Sequence, residues 1–190
     1  MTEDRKKERK GFTLAELLIV VAIIGVLVAI SIPILNVQLE KSREAHDIYT
    51  MRAVAAIAVD YYYQGADTPK GAAALGLKFW NEGEAYANAS GVYNPETGTF
   101  VAERDDPRLK GPYGKGTKTD SGAKYEMGSN PNGPYMNAAD YTKAVCMISI
   151  YPNQKYINVY WKEKEGQGND KFIGGNIENS PKYSLRLPID

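Results

Sequence analysis

Residues 17–39 contain no charged side chain, and only Ser31, Asn36 and Gln38 interrupt an otherwise apolar run. As a helix this run rises roughly 34 Å at about 1.5 Å per residue. That length matches a bilayer hydrocarbon core of about 30 Å. The run is apolar around its whole circumference, which predicts a membrane span rather than the core helix of a soluble domain. Beyond it the pattern turns amphipathic. Ile48, Met51, Ala55, Ala58 and Tyr62 recur at three and four, and Val54 and Tyr61 widen the stripe. Glu40, Lys41, Arg43, Glu44, Asp47 and Arg52 are expected to fill the polar remainder, and Gly65 to stop the helix. A single helix over 12–64 would be about 80 Å long, and its second half needs a sheet to cover the stripe.

Residues 65–140 are dense in turn formers, among them Asn94-Pro95, Asp106-Pro107, Gly111-Pro112, Asn130-Pro131 and Gly133-Pro134. Short strands are expected near 99–102 and 123–127, and a short helix within 73–88. From 144 to 162 the period is two. Cys146, Ile148 and Ile150 alternate with Met147, Ser149 and Tyr151. After Pro152-Asn153-Gln154, Ile157, Val159 and Trp161 alternate with Tyr156, Asn158 and Tyr160. This predicts a β-hairpin with one strongly apolar face. A loop over 163–171 and a further strand over 183–187 follow. The fold class is therefore α+β: a long N-terminal helix whose second half packs on an antiparallel sheet.

Charge gives the first part a direction. Arg5, Lys6, Lys7, Arg9 and Lys10 precede the apolar run, whereas Lys41 and Arg43 beyond it are mixed with Glu40 and Glu44. The positive-inside rule puts the N-terminus in the cytoplasm and the C-terminal domain outside. Over the whole chain, 23 basic side chains balance 23 acidic ones, so nucleic-acid binding is not indicated. The mean hydropathy of −0.42 averages two unlike parts. Cys146 is the only cysteine, which excludes an intrachain disulfide and a lipoprotein attachment site near the apolar run. An ordinary signal peptide would be cut after its apolar stretch at small residues, and no such site follows this one.

Residues 10–16 read Lys10-Gly11-Phe12-Thr13-Leu14-Ala15-Glu16 and lead directly into the apolar run. This segment resembles the processing site of type IV prepilins and the related pseudopilins, and the resemblance covers about residues 6–50. It implies cleavage between Gly11 and Phe12 by a membrane aspartic prepilin peptidase on the cytoplasmic face, with N-methylation of Phe12 by the same enzyme. Glu16 becomes the fifth residue of the mature chain, where the family carries a glutamate. Pro33 falls where many members carry a helix-bending proline.

A carboxylate within a membrane helix costs on the order of 2.5–3.5 kcal/mol, less near the interface, and is ordinarily paired. The resemblance implies that Glu16 of one subunit meets the Phe12 amine of a neighbour and sets the filament's axial register. The alternative is local: Thr13-x-x-Glu16 fits a capping box within one chain. Ala15, Ala22, Gly25 and Ala29 recur at seven, three and four. Gly25 to Ala29 has the spacing that lets membrane helices approach closely, although such residues are also common in ordinary spans. Pro33 is expected to kink or loosen the helix near Ala29. The carbonyl it frees needs another partner, Ser31 or a neighbouring helix.

No cofactor, metal centre or catalytic constellation is predicted. His46 reads as a solvated helix residue and Cys146 as core. Asp105, Asp106 and Asp140 form no ordered calcium-ligand series. Asn88-Ala89-Ser90 has glycosylation spacing. The organisation expected is a basic leader (1–11), a transmembrane and filament-core helix (12–39), an amphipathic continuation (40–64) and an extracytoplasmic β domain (65–190). The function expected is that of a non-enzymatic structural subunit of a type IV pilus-like filament. Its partners would be other copies of itself, membrane lipid before assembly and the prepilin peptidase. An assembly ATPase and a platform protein are implied by resemblance. A pseudopilin of a type II secretion or DNA-uptake system is the alternative; Gly111-Pro112-Tyr113-Gly114 with Lys124-Tyr125 is similar to loops of major pseudopilins. A membrane-anchored binding module is the alternative from another class.

Overall fold

The computed structural model describes residues 11–116, 141–165, 172–173 and 184–190. The described chain divides into an N-terminal unit reaching Gln38 and a second unit, Leu39–Asp190. Helix α1, Leu14–Tyr61, contributes to both.

In the first unit α1 is the only secondary-structure element among the described residues, and residues 11–38 are all exposed. It includes a stretch long and apolar enough to cross a membrane. Helical structure continues through Pro33. The proline has no N–H for the carbonyl four residues before it, and Ser31 does not supply the replacement. Its hydroxyl donates to the carbonyl of Leu27 at 2.7 Å.

In the second unit the rest of α1 supplies Met51, Val54, Ala55 and Ala58 to the core. The predicted stripe is therefore the buried one. A π-helical turn, Tyr62–Ala66, closes the helix, with Gly65 at φ 107°, a backbone region that glycine enters without steric cost. The short helix expected within 73–88 lies earlier: α2 is Pro69–Ala74, with the Thr68 hydroxyl capping it by accepting the Gly71 N–H. Part of the expected helical range is instead extended.

The strands are β1 (Lys78–Trp80), β2 (Asn88–Asn94), β3 (Thr99–Val101), β4 (Ala144–Tyr151), β5 (Tyr156–Glu163), β6 (Phe172–Ile173) and β7 (Ser184–Pro188). All pairings are antiparallel. The order is β1-β2-β4-β5-β6; β3 also pairs with β2, and β7 with β5. The predicted hairpin is β4–β5, with Ile148 opposite Val159 and Ile150 opposite Ile157. The expected strands over 99–102 and 183–187 correspond to β3 and β7. The one expected over 123–127 lies outside the described residues.

Strand β2, sequence NASGVYN, falls in the segment expected to be turns and loops. It nevertheless lies inside the sheet, flanked by β1 and β3 on one edge and β4 on the other. Its glycosylation spacing is also accounted for differently: Asn88 and Ser90 are buried, and the Ser90 hydroxyl donates to Asn88 Oδ1 at 2.7 Å.

Each face of the sheet carries a buried apolar cluster. On one, Ile148, Ile150, Ile157, Val159 and Trp161 form a core with the α1 stripe. On the other, Val92, Val101 and Val145 pack with Leu109, and Tyr113 and Met147 flank them. The polar positions of the hairpin also join a buried row, in which the Ser149 hydroxyl lies 3.1 Å from Tyr160 Oη. Burial pushes the Tyr160 phenol up to about 12.

Candidate functional site

The start of α1 carries the predicted processing and assembly residues. Gly11 and Phe12 are exposed, and nothing lies within 4 Å of where a Cβ on Gly11 would project. Residues 1–10, the basic part of the expected leader, lie outside the described residues. Glu16 and Thr13 bond reciprocally. The Thr13 N–H and hydroxyl each donate to Glu16 Oε2 at 2.8 Å, and the Glu16 N–H donates to the Thr13 hydroxyl at 3.2 Å. This is a complete capping box. The single chain thus holds the acid in a local arrangement before any neighbour is present.

Ala15, just before Glu16, and Ala22, Gly25 and Ala29 beyond it are all exposed, and a Cβ on Gly25 would meet nothing within 4 Å. Large apolar side chains share this exposure, among them Ile19, Ile23, Ile30 and Ile34. So extensive an apolar surface on a chain marks contact with lipid or with other protein.

The first turns of α1 in the second unit depart from the expected polar face. Glu40, Glu44 and Asp47 are buried, whereas Lys41, Arg43 and His46 are exposed. The acids continue the 4–3–4 spacing of the buried stripe through Met51. That continuity is the sequence signal for their burial, and their charge is what points the other way.

Asp47 is the best-defined member of the three. Its carboxylate accepts the Lys115 N–H at 2.9 and 3.1 Å and the Gly116 N–H at 2.8 Å. Burial raises its carboxyl above the ordinary aspartate range, although the bonds from Gly116, Lys115 and His46 oppose the shift. The segment it holds, residues 113–116, is also fixed from the sheet side. Tyr113 and Gly114 donate N–H groups to the Ala144 carbonyl, and Tyr141 donates to Gly116. A Cβ on Gly114 would lie 2.0 Å from the Tyr141 carbonyl oxygen, so only glycine fits. Segment 113–116 is therefore a strap tying α1 to the start of β4.

The remaining candidate chemistry is structural where it is described. Cys146 is buried, and burial pushes its thiol well up. Asp106 accepts two bonds from the Arg108 guanidinium, at 2.9 and 2.7 Å. Asp140 lies outside the described residues. No group of three or more potential metal ligands occurs among the described residues.

An exposed apolar helix carrying one acid near its start, followed along the chain by an antiparallel sheet with its own helix-backed core, defines a pilin-like α+β subunit. Residues 6–32 match the family described as the prokaryotic N-terminal methylation motif. The chain is 33% identical over 119 residues to the type IV major fimbrial protein FimA of Dichelobacter nodosus (strain VCS1703A), covering 61% of this chain and 74% of that protein. It is 31% identical over 138 residues to the fimbrial protein EcpC of Eikenella corrodens, covering 69% of this chain and 90% of that protein. No solved structure matches the chain. The chain belongs to the type IV fimbrial protein family, and its role is that of a pilin-like structural subunit.

Proposed function

We propose that the chain is a prepilin cut between Gly11 and Phe12, methylated on the new Phe12 amine, and polymerised through residues 12–39 into a surface pilus. The observation that carries this reading is Glu16. It lies at the border of a span of 23 residues, 17–39, that has no charge of its own. A carboxylate in such a setting needs a positive partner. Cleavage after Gly11 creates an amine four residues before it.

The mature subunit waits in the membrane with its N-terminus cytoplasmic and residues 65–190 extracytoplasmic. On assembly the apolar helix exchanges lipid for neighbouring helices. Ala22, Gly25 and Ala29 permit close approach there. Pro33 leaves the Ala29 carbonyl without its helical donor, which gives the helix a place to loosen. Glu16 passes from its bonds with Thr13 to the Phe12 amine of an adjacent copy. A prepilin peptidase, an assembly ATPase and a platform protein complete the pathway. The relatives carry the names of fimbrial proteins, which supports the pilus reading, with a secretion or DNA-uptake pseudopilus as the alternative.

Mass spectrometry of the mature N-terminus tests the reading. A chain beginning at methylated Phe12 is expected. A chain that retains residues 1–11 in a cell containing prepilin peptidase would overturn it.

A further inference from the structure

Beside the strap, the second unit has a shallow cavity of about 640 Å³. Ser42, Arg43 and His46 line it from α1, Gly114 and Lys115 from the strap, and Thr142 from the 3₁₀ turn Tyr141–Lys143 that precedes β4. We propose that this cavity holds the phosphate headgroup of an anionic phospholipid while the subunit resides in the membrane. The inference rests on the membrane-resident state proposed above.

Three observations support it. The first is charge arrangement. Among the lining residues Arg43, His46 and Lys115 are exposed, while the neighbouring acids Glu40, Glu44 and Asp47 are turned into the protein. Glu40 takes part in a 3.5 Å contact with Arg43, and the Asp47 carboxylate is committed to main-chain N–H groups and lies 3.6 Å from His46 Nδ1. The open side of the cavity is thus cationic, with the hydroxyls of Ser42 and Thr142 at its margin. Guanidinium, ammonium and hydroxyl groups together are the donors a phosphate diester takes.

The second is depth. Ser42 and His46 lie three and seven residues beyond Leu39, the last residue of the apolar run. Along a helix that is roughly 4.5 to 10 Å of rise. The headgroup layer of a bilayer occupies roughly 5–8 Å on each side of the hydrocarbon core. The α1 residues of the cavity therefore follow the proposed span within about two helical turns along the chain.

The third is preorganisation. Lys115 comes from a segment 68 positions or more from the α1 residues in sequence, yet the Asp47 carboxylate fixes its main chain against the helix. The strap is pinned on its other side by Ala144 and Tyr141. The main chain that carries Lys115 is thus held in place before any ligand binds.

The test uses the full chain, purified in a non-ionic detergent and examined by native mass spectrometry with three probes: phosphatidylglycerol, phosphatidylcholine and inorganic phosphate. Phosphatidylglycerol is expected to be retained at least about fivefold over phosphatidylcholine. Arg43→Gln and Lys115→Gln should each lower that retention about fivefold, the usual effect of one basic residue at an anionic surface. Lys70→Gln, an exposed change on α2, should leave it unaltered. Matched thermal unfolding would show that the variants fold. Equal retention of the two lipids, or a preference that survives the Arg43→Gln/Lys115→Gln double change, would overturn the proposal. So would displacement of the lipid by an equimolar amount of inorganic phosphate, which would mark a site for free anions. Flotation of the chain with membranes is a separate readout. A chain that floats but shows no lipid preference defeats this inference alone, whereas one that does not float defeats the anchored-subunit reading.

Discussion

The Asp47 carboxylate on α1 accepts the main-chain N–H of Gly116 at 2.8 Å, across 69 positions of sequence. With the two bonds from Lys115 it makes the strap a fixed part of the second unit rather than a passing loop. Removing the acceptor leaves buried N–H groups unsatisfied, which is the costly side of hydrogen bonding. Asp47→Ala should destabilise the unit by about 3 kcal/mol, and Asp47→Asn by less, since its amide oxygen still accepts. Chemical denaturation of the full chain, followed by the fluorescence of buried Trp161, measures both. Wild-type stability in Asp47→Ala would show that the strap bears no load.

The same residue gives a pH dependence with a definite sign. Burial raises the folded-state carboxyl of Asp47 above its unfolded value. The folded protein then binds the proton more readily, so this group's favourable contribution is fully present below the ordinary aspartate range and is lost as pH rises through the folded value. Wild type should accordingly gain stability relative to Asp47→Asn on acidification. Paired melting curves over that range check it, and a difference that shrinks with falling pH would contradict it.

Gly114 offers a steric test of the strap. Its missing Cβ would sit 2.0 Å from a backbone oxygen, an atom that cannot rotate away. Gly114→Ala should displace the strap and destabilise the unit by about 2 kcal/mol or more. Hydrogen exchange at the Lys115 and Gly116 amides should speed up with it. Unchanged exchange would mean that the close approach to Tyr141 is not maintained.

Asp106 titrates the other way. The Arg108 side chain and N–H hold its carboxyl down at about 2. Its stabilising contribution is present above the ordinary aspartate range and fades as pH falls toward that value. Arg108→Gln should raise the Asp106 midpoint, read by carboxyl NMR, toward the ordinary range, while the main-chain N–H of residue 108 still holds it partly down. A midpoint that stays near 2 would assign the shift to something other than the arginine.

The hairpin β4–β5 was legible because Cys146, Ile148 and Ile150 alternate with Met147, Ser149 and Tyr151, and the period of two survives folding. The α1 stripe was legible for the equivalent reason at a period of 3.6. Strand β2 was not, because Asn88, Ser90, Gly91 and Asn94 are turn formers by propensity. Their place inside the sheet comes from partners on β1, β3 and β4 that no local pattern announces. The site divides in the same way. Thr13 and Glu16 could be read as a capping box from their spacing alone, whereas the role of Asp47 depends on donors from Lys115 and Gly116 that the fold brings to it. Its membership of the buried stripe was visible in the spacing Glu40, Glu44, Asp47, Met51, but the charge masked it.

Thr13 and Glu16 also make a local prediction. Thr13→Val removes the hydroxyl that accepts the Glu16 N–H and donates to its carboxylate. Loss of an N-cap of this kind costs about 1 kcal/mol of local helix stability. The amides of the first turn of α1 should exchange faster in detergent, while the second unit melts as before. First-turn protection equal to wild type would place the cap elsewhere.

Filament yield from Glu16→Gln, in cells that cut and methylate the precursor normally, bears most directly on how the subunits join. A neutral amide of the same shape cannot balance the Phe12 amine of an adjacent copy, so processed subunits should accumulate in the membrane with few or no filaments. Filaments of ordinary number and axial spacing would contradict the pairing on which the proposed assembly depends.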